Sequence, residues 1–169
     1  MRHCRQPLTE RRHFLAGLGA AGLLSALAAC SRASGAPGSG ESQAEPLAPK
    51  APLLAPAALS ARLADVQSGK IAVLQVGPKY LWGKSHIPGS RWIGEAGEGD
   101  GLAALQAALE ALPIETEVVA YCGCCPVSHC PNLGPARRAL AGRTKASFLD
   151  LPTNFRTDWI DKGFPVERG

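Results

Sequence analysis

Residues 121–132 read YCGCCPVSHCPN, so Cys122, Cys124, Cys125, Cys130 and His129 fall within one short stretch. A thiolate is both a strong nucleophile and a soft metal ligand, and its reactivity follows its pKa. Several chemistries could use such a cluster. Cys122 could be a nucleophile, with Cys124, Cys125 or Cys130 as auxiliary thiols. Cys122-Gly123-Cys124-Cys125 also contains a C-x-x-C, the spacing of dithiol–disulfide exchange. The four thiols with His129 could instead hold a soft ion such as Cu(I) or Zn(II), although C-x-C-C-x4-C is not a standard zinc spacing. Structural disulfides are the plain alternative. They would close only short loops, and adjacent Cys124 and Cys125 are poor partners.

The elements that must position this stretch read as alternating strands and helices. Leu59, Leu63 and Val66 predict a helix over 57–67, ended by Ser68-Gly69. KIAVLQVG is a nearly continuous apolar run, as expected of a strand buried on both faces. SRWIG predicts a second short strand, and Leu102, Leu105, Leu109 and Leu112 mark a helix ending at Pro113. TEVVAYC is a further buried strand, a helix opens at Pro135 and runs to Leu140, and KASFLDL is another strand. TNFRTDWIDKG has the cap and spacing of a closing helix. This order predicts a single α/β domain, 57–169, with a mostly parallel sheet and helices on both faces. In such sheets chemistry gathers where strands end and helices begin. Cys122 stands at such a place, expected exposed at the C-terminal tip of its strand, where backbone N–H groups and a helix N-terminus favour its thiolate. Asn132 is the expected cap of that helix.

The chain has 169 residues, 46% of them apolar, enough for one core. Arg2, Arg5, Arg11 and Arg12 against Glu10 make residues 1–30 basic, whereas the remainder holds 14 basic and 13 acidic side chains. No basic stripe survives there, so a nucleic-acid partner is not expected. The uncharged run from Phe14 to Ala29 is shorter than the roughly 20 residues of a membrane-spanning helix. With its basic start it predicts an export signal over 1–29, and Arg11-Arg12-His13-Phe14-Leu15 resembles a twin-arginine motif. Leu27-Ala28-Ala29-Cys30 resembles a bacterial lipobox, making Cys30 the expected lipidation site. Residues 30–56, rich in Ser, Gly, Ala and Pro, predict a disordered tether, with a reach of about 25–30 Å. The expected localisation is therefore the periplasmic side of a bacterial envelope, with the membrane met through the N-terminal lipid.

From Ala57 onward the motifs VLQVG, Trp82, SHIPGS (Ser85 to Ser90), VVAYC, Asp158-Trp159 and GFPVE, in this order and spacing, resemble the rhodanese-like sulfurtransferase family. The resemblance implies a rhodanese-like fold and an enzyme that moves sulfane sulfur through a cysteine persulfide. Its substrates would be a small sulfur donor, thiosulfate or a persulfide, and a thiol acceptor. It places the catalytic cysteine on Cys122 and makes Gly123, His129, Arg137 and Arg138 the expected substrate-binding groups. That reading requires no cofactor; Cu or Zn belongs to the metal-binding alternative, with Cys122, Cys124, Cys125, Cys130 and His129 as ligands. His86 is expected to position loop backbone, Trp82 and Trp159 to pack, and Asp158 to be a solvated helix charge. The chain departs from the family at Gln75 and Gly77, where the family has Asp and Arg. Its cysteine loop is also longer and contains Pro126 and Pro131, which lack an N–H donor.

Overall fold

The structure is a computed structural model and describes residues 51–169. The expected signal segment, Cys30 and most of the tether lie outside the described residues. The sheet has five strands: β1 (Leu53–Leu54), β2 (Ile71–Gln75), β3 (Arg91–Trp92), β4 (Glu117–Tyr121) and β5 (Ala146–Leu149). Their order is β1-β5-β4-β2-β3, and all neighbours are parallel. β4 lies in the middle, with Val73 opposite Val119 on one side and Ser147 opposite Val119 on the other. A parallel sheet covered on both faces needs apolar side chains in both directions, and β4 supplies them by alternation. Val118, Ala120 and Cys122 point into one core with Leu105, Leu109, Leu133, Ala136 and Leu140. Val119 and Tyr121 point into the other with Leu59, Val66, Phe155 and Trp159.

The helices are α1 (Pro56–Ser60), α2 (Leu63–Gln67), α3 (Lys79–Lys84), α4 (Gly99–Glu110) and α5 (Leu133–Leu140), followed by one π-helical turn, Arg156–Ile160. Leu105 and Leu109 of α4 and Leu133, Ala136 and Leu140 of α5 cover one face. Leu59 of α1, Val66 of α2 and Trp159 cover the other.

Four expectations change. The folded part reaches back past Ala57: Leu53 and Leu54 pair with Phe148 and Leu149 as an edge strand, with Phe148 N–H donating to Pro52 and Asp150 N–H to Leu54. Those hydrogen bonds need only backbone, so the Pro- and Ala-rich composition concealed them. The helix expected over 57–67 is broken at Ala61-Arg62, where the Arg62 backbone leaves helical geometry. Its guanidinium makes a two-pronged contact with Glu117, at 2.7 and 2.8 Å, at the start of β4. The closing helix is a single π turn. There Asp158 is no solvated charge, because its carboxylate accepts the N–H groups of Thr153 and Asn154 at 2.6 and 2.9 Å. α3 was not foreseen, since its six residues carry Gly83 and two aromatics and give no clear helical spacing.

Candidate active site

β4 ends at Tyr121, and the chain then turns sharply through Gly123. The phenol of Tyr121 ties this end to the HIPGS turn: it accepts the Ile87 N–H at 3.3 Å and lies 3.3 Å from Ser90 Oγ. Burial pushes its ionisation up to about 12, so it stays a neutral strut. Gly123 has φ +86°, the left-handed region, and a Cβ there would sit 2.9 Å from Phe155 Cβ. Only glycine meets both conditions without strain. Its carbonyl accepts the Phe155 N–H, and Val127 N–H donates to Leu151, so the loop is pinned to the chain segment after β5.

The turn brings three sulfurs together. The Sγ atoms of Cys122, Cys124 and Cys130 all lie within 4.8 Å of one another, and the described cysteines are free thiols. Cys122 Sγ is 3.1 Å from Cys124 Sγ, and Cys124 Sγ is 3.1 Å from Cys125 Sγ. Cys122 was expected at an exposed strand tip; it is only 1% exposed. The strand's alternation turns it under α5, and Gly77 closes over it. A Cβ at Gly77 would lie 2.6 Å from both the sulfur and the carbonyl oxygen of Cys122. Cys124 is the most exposed residue of the three.

Burial alone would raise the pKa of Cys122, yet it is drawn down to about 6. The Cys130 thiol is the strongest donor to it, joined by the Cys124 backbone N–H, the Asn132 amide and the Cys124 thiol. Cys130 is pushed well up because it donates to Cys122 and is buried. Cys124 is also pushed well up, by burial first and then by its contacts with Cys122 and Cys125. The cluster therefore holds one thiolate surrounded by thiols. Asn132 was expected to cap α5, but it makes no side-chain cap hydrogen bond. Its Nδ2 donates to Cys122 Sγ at 3.4 Å and its Oδ1 accepts the Gly97 N–H at 2.7 Å. Gln75, on the neighbouring strand, donates to the Cys122 carbonyl at 3.1 Å, while its own Oε1 is buried without a partner.

Cys124 opens onto a cavity of about 510 Å³. Its walls are Tyr80, Leu81 and Lys84 of α3, Gly123 and Cys124 of the loop, and Phe155, Arg156, Ile160 and Asp161 around the π turn. Apolar surface dominates, with two cations and one carboxylate at the rim. Gly123 and Cys124 are site residues expected from the sequence; sequence reasoning missed the others, for α3 and the π turn are brought to the loop only by the fold.

The other expected groups lie elsewhere. His129 is exposed, bonded through Nδ1 to Ser128 Oγ at 2.8 Å, and stands outside the three-sulfur group. Arg137 and Arg138 occupy the last turn of α5, away from its sulfur-facing end, and Arg137 stacks over Phe148 at 5.4 Å. None of the three lines the cavity beside Cys124. His86 is buried, stacked on Trp82 with centroids 3.6 Å apart, and its backbone pairs with Glu167. It fastens the C-terminal segment rather than facing a sulfur. Trp159 is fully buried, as expected of a packing residue, and donates to Pro165.

Cys122, Cys124 and Cys130 lie close enough together to hold a soft ion, but the Cys122–Cys124 pair is tighter than a tetrahedral zinc site needs. Two sulfurs 3.1 Å apart and each about 2.3 Å from a zinc ion subtend only about 85°, well below the tetrahedral angle. The same spacing suits sulfur-to-sulfur chemistry, which needs the two atoms in contact.

Fold and site together define a parallel α/β domain with a buried thiolate and an exposed thiol at the C-terminal end of its central strand. No protein-family model matches the chain, and no curated protein matches it. Among solved structures, the BH2092 protein from Bacillus halodurans is similar over 70% of this chain and 77% of its own, at 20% identity and a TM-score of 0.51. EanB is similar over 70% of this chain as well, at 17% identity and TM-score 0.50 for the wild type. A cysteine-to-alanine variant of EanB in complex with hercynine gives 18% and 0.52. This chain spans only 28% of EanB's length. These likenesses establish the α/β fold of the domain.

Proposed function

We propose that the domain is a rhodanese-like sulfurtransferase, carried on the outward side of a bacterial membrane by a lipid at Cys30. Sulfane sulfur from a small donor is taken up by the cysteine loop as a persulfide and handed to an acceptor thiol. The observation that carries this reading is the 3.1 Å contact between the sulfur of buried Cys122 and that of Cys124, which lines a cavity. Cys122, the nucleophile expected from the sequence, is sealed beneath Gly77, so a donor in the cavity meets Cys124 first and Cys122 acts through it. As Cys124 Sγ attacks the outer sulfur of the donor, its proton is relayed by the Cys122 thiolate 3.1 Å away to the departing group. With thiosulfate, the S–S bond of the donor breaks, sulfite leaves with the electron pair, and Cys124 becomes a persulfide. An incoming thiolate then attacks the outer sulfur, and Cys124 is released with the electron pair of the broken bond.

Mass analysis of the loop peptide after exposure to thiosulfate or polysulfide tests this. Uptake of sulfur by a loop cysteine, followed by its appearance on an added thiol, is the expected result. Replacement of Cys122 by Ser should abolish turnover, because the proton acceptor is lost. Absence of any sulfur uptake by the loop in the unaltered protein sinks the reading.

A further inference from the structure

Which sulfur of a Cys124 persulfide faces Cys122 decides what happens when no acceptor thiol arrives. Cys122 Sγ touches Cys124 Sγ from the buried side, at 3.1 Å, while Cys124 opens on the other side to the cavity. A persulfide on Cys124 whose outer sulfur points into the cavity would present its inner sulfur to Cys122, with the outer sulfur as the leaving group. From the geometry of this pair we propose a second activity for the loop: it reduces sulfane sulfur to sulfide, closing a Cys122–Cys124 disulfide as it does so. This rests on the persulfide chemistry proposed above and gives it a second outcome.

The balance closes without a further reactant. An organic persulfide, RSSH, first transfers its outer sulfur to Cys124 and leaves as RSH. The Cys122 thiolate then attacks Cys124 Sγ, a new S–S bond forms between the two cysteines, and the bond to the outer sulfur breaks. That sulfur departs as HS⁻ with the bonding electrons. The sulfane sulfur is reduced by two electrons and the cysteine pair is oxidised by two. Two external thiols reopen the disulfide, themselves ending as a disulfide, and the cycle can repeat.

The sulfurs are already close. Contracting the pair from 3.1 Å to the roughly 2.05 Å of a disulfide moves each atom about half an ångström. Residues two apart span at most about 7 Å when fully extended, near the upper end of the Cα separations disulfides use, and the chain between them turns at Gly123 (φ +86°). Cys125 Sγ is equally close to Cys124 Sγ, but adjacent Cα atoms about 3.8 Å apart fall below the roughly 4.4 Å minimum for an ordinary disulfide. Cys130, the main donor to Cys122 and itself buried, takes no part as a nucleophile because its proton is held on the Cys122 side.

The experiment uses the full chain, reduced and then freed of thiols under anaerobic conditions, with one equivalent of glutathione persulfide added. Sulfide is measured, and the loop peptide is weighed after alkylation. About one equivalent of sulfide per protein is expected, with Cys125 and Cys130 alkylated and Cys122 and Cys124 linked. The Cys122→Ser protein should release at least tenfold less sulfide and should carry any sulfur it takes up as a persulfide on Cys124. Sulfur uptake by the unaltered protein as a stable persulfide, without sulfide or disulfide, overturns this proposal and leaves the transfer reading intact. A disulfide that maps to any other pair, or undiminished sulfide from Cys122→Ser, overturns it too. No uptake at all, with neither sulfur nor disulfide on the loop, overturns both.

Discussion

The Asn132 side chain is a bridge: it reaches Cys122 Sγ through Nδ2 at 3.4 Å while its Oδ1 holds the Gly97 N–H at 2.7 Å. A hydrogen bond to a charged group is worth about 1.5–3 kcal/mol, and one pKa unit corresponds to about 1.36 kcal/mol. Asn132→Asp keeps an acceptor for Gly97 but sets a carboxylate beside the sulfur. The ionisation midpoint of Cys122, about 6, should therefore rise by at least one to two units. Thiolate absorbance followed against pH measures it, and an unmoved midpoint would remove Asn132 from the set of groups that hold the thiolate.

The same thiols give stability a pH dependence whose sign can be worked out. Cys122 has a folded pKa of about 6 against an ordinary 9.0, so its ionisation favours the folded state. That contribution is complete above 9 and is lost as pH falls toward 6. Cys124 and Cys130 are shifted the other way, so their contribution is present below 9 and declines once unfolded thiols begin to ionise. Denaturant midpoints of the reduced protein should climb from pH 6 to pH 9 and level or fall beyond it. In Cys122→Ser the climb should vanish, and a climb that persists would assign it to other groups.

Gly77 is set against the reactive sulfur, with room for hydrogen only. Its substitution by Ala would force Cβ to within 2.6 Å of Cys122 Sγ and of the Cys122 carbonyl oxygen. Overpacking of this kind costs about 1–3 kcal/mol, and part of the relief must come from moving the sulfur. Gly77→Ala should lower the melting temperature and slow alkylation of the loop thiols at pH 7. A variant that melts and reacts like the parent would show that the segment after β2 yields there at no cost.

The sheet was legible because buried parallel strands are short apolar runs, and KIAVLQVG, TEVVAYC and KASFLDL are such runs. The place of the cysteine cluster was legible for the same reason, since TEVVAYC must end where the loop begins. Its inner geometry was not. Strand alternation determines that Cys122 points under α5, but the depth of cover depends on Gly77, which is distant in sequence and carries no side chain to signal contact. Asn132 read as a helix cap because its type and position suit one; the thiolate and the Gly97 N–H compete for its amide and win. His129, Arg137 and Arg138 were drawn in by closeness along the chain, whereas α5 carries the two arginines away with its own length. Lys84, Phe155 and Arg156 could not be found from the loop at all, because only the packed sheet brings α3 and the π turn to its edge.

Those last residues determine which donors the cavity favours. Lys84 lies over the Tyr80 ring at 5.6 Å without an ion-pair partner among the described residues, whereas Arg156 approaches Asp161 at 3.9 Å. Lys84 is therefore the freer cation for an anionic donor. In an exposed setting one charge pair at contact is worth about 1 kcal/mol, close to a fivefold change in affinity. Lys84→Met should raise KM for thiosulfate severalfold and leave kcat within about twofold, since the charge acts on binding and not on the sulfur that is attacked. A neutral organic polysulfide donor should show no such change, and added salt should shrink the difference between parent and variant for thiosulfate. Equal effects on the charged and neutral donors would mean that Lys84 shapes the cavity wall and does not select by charge.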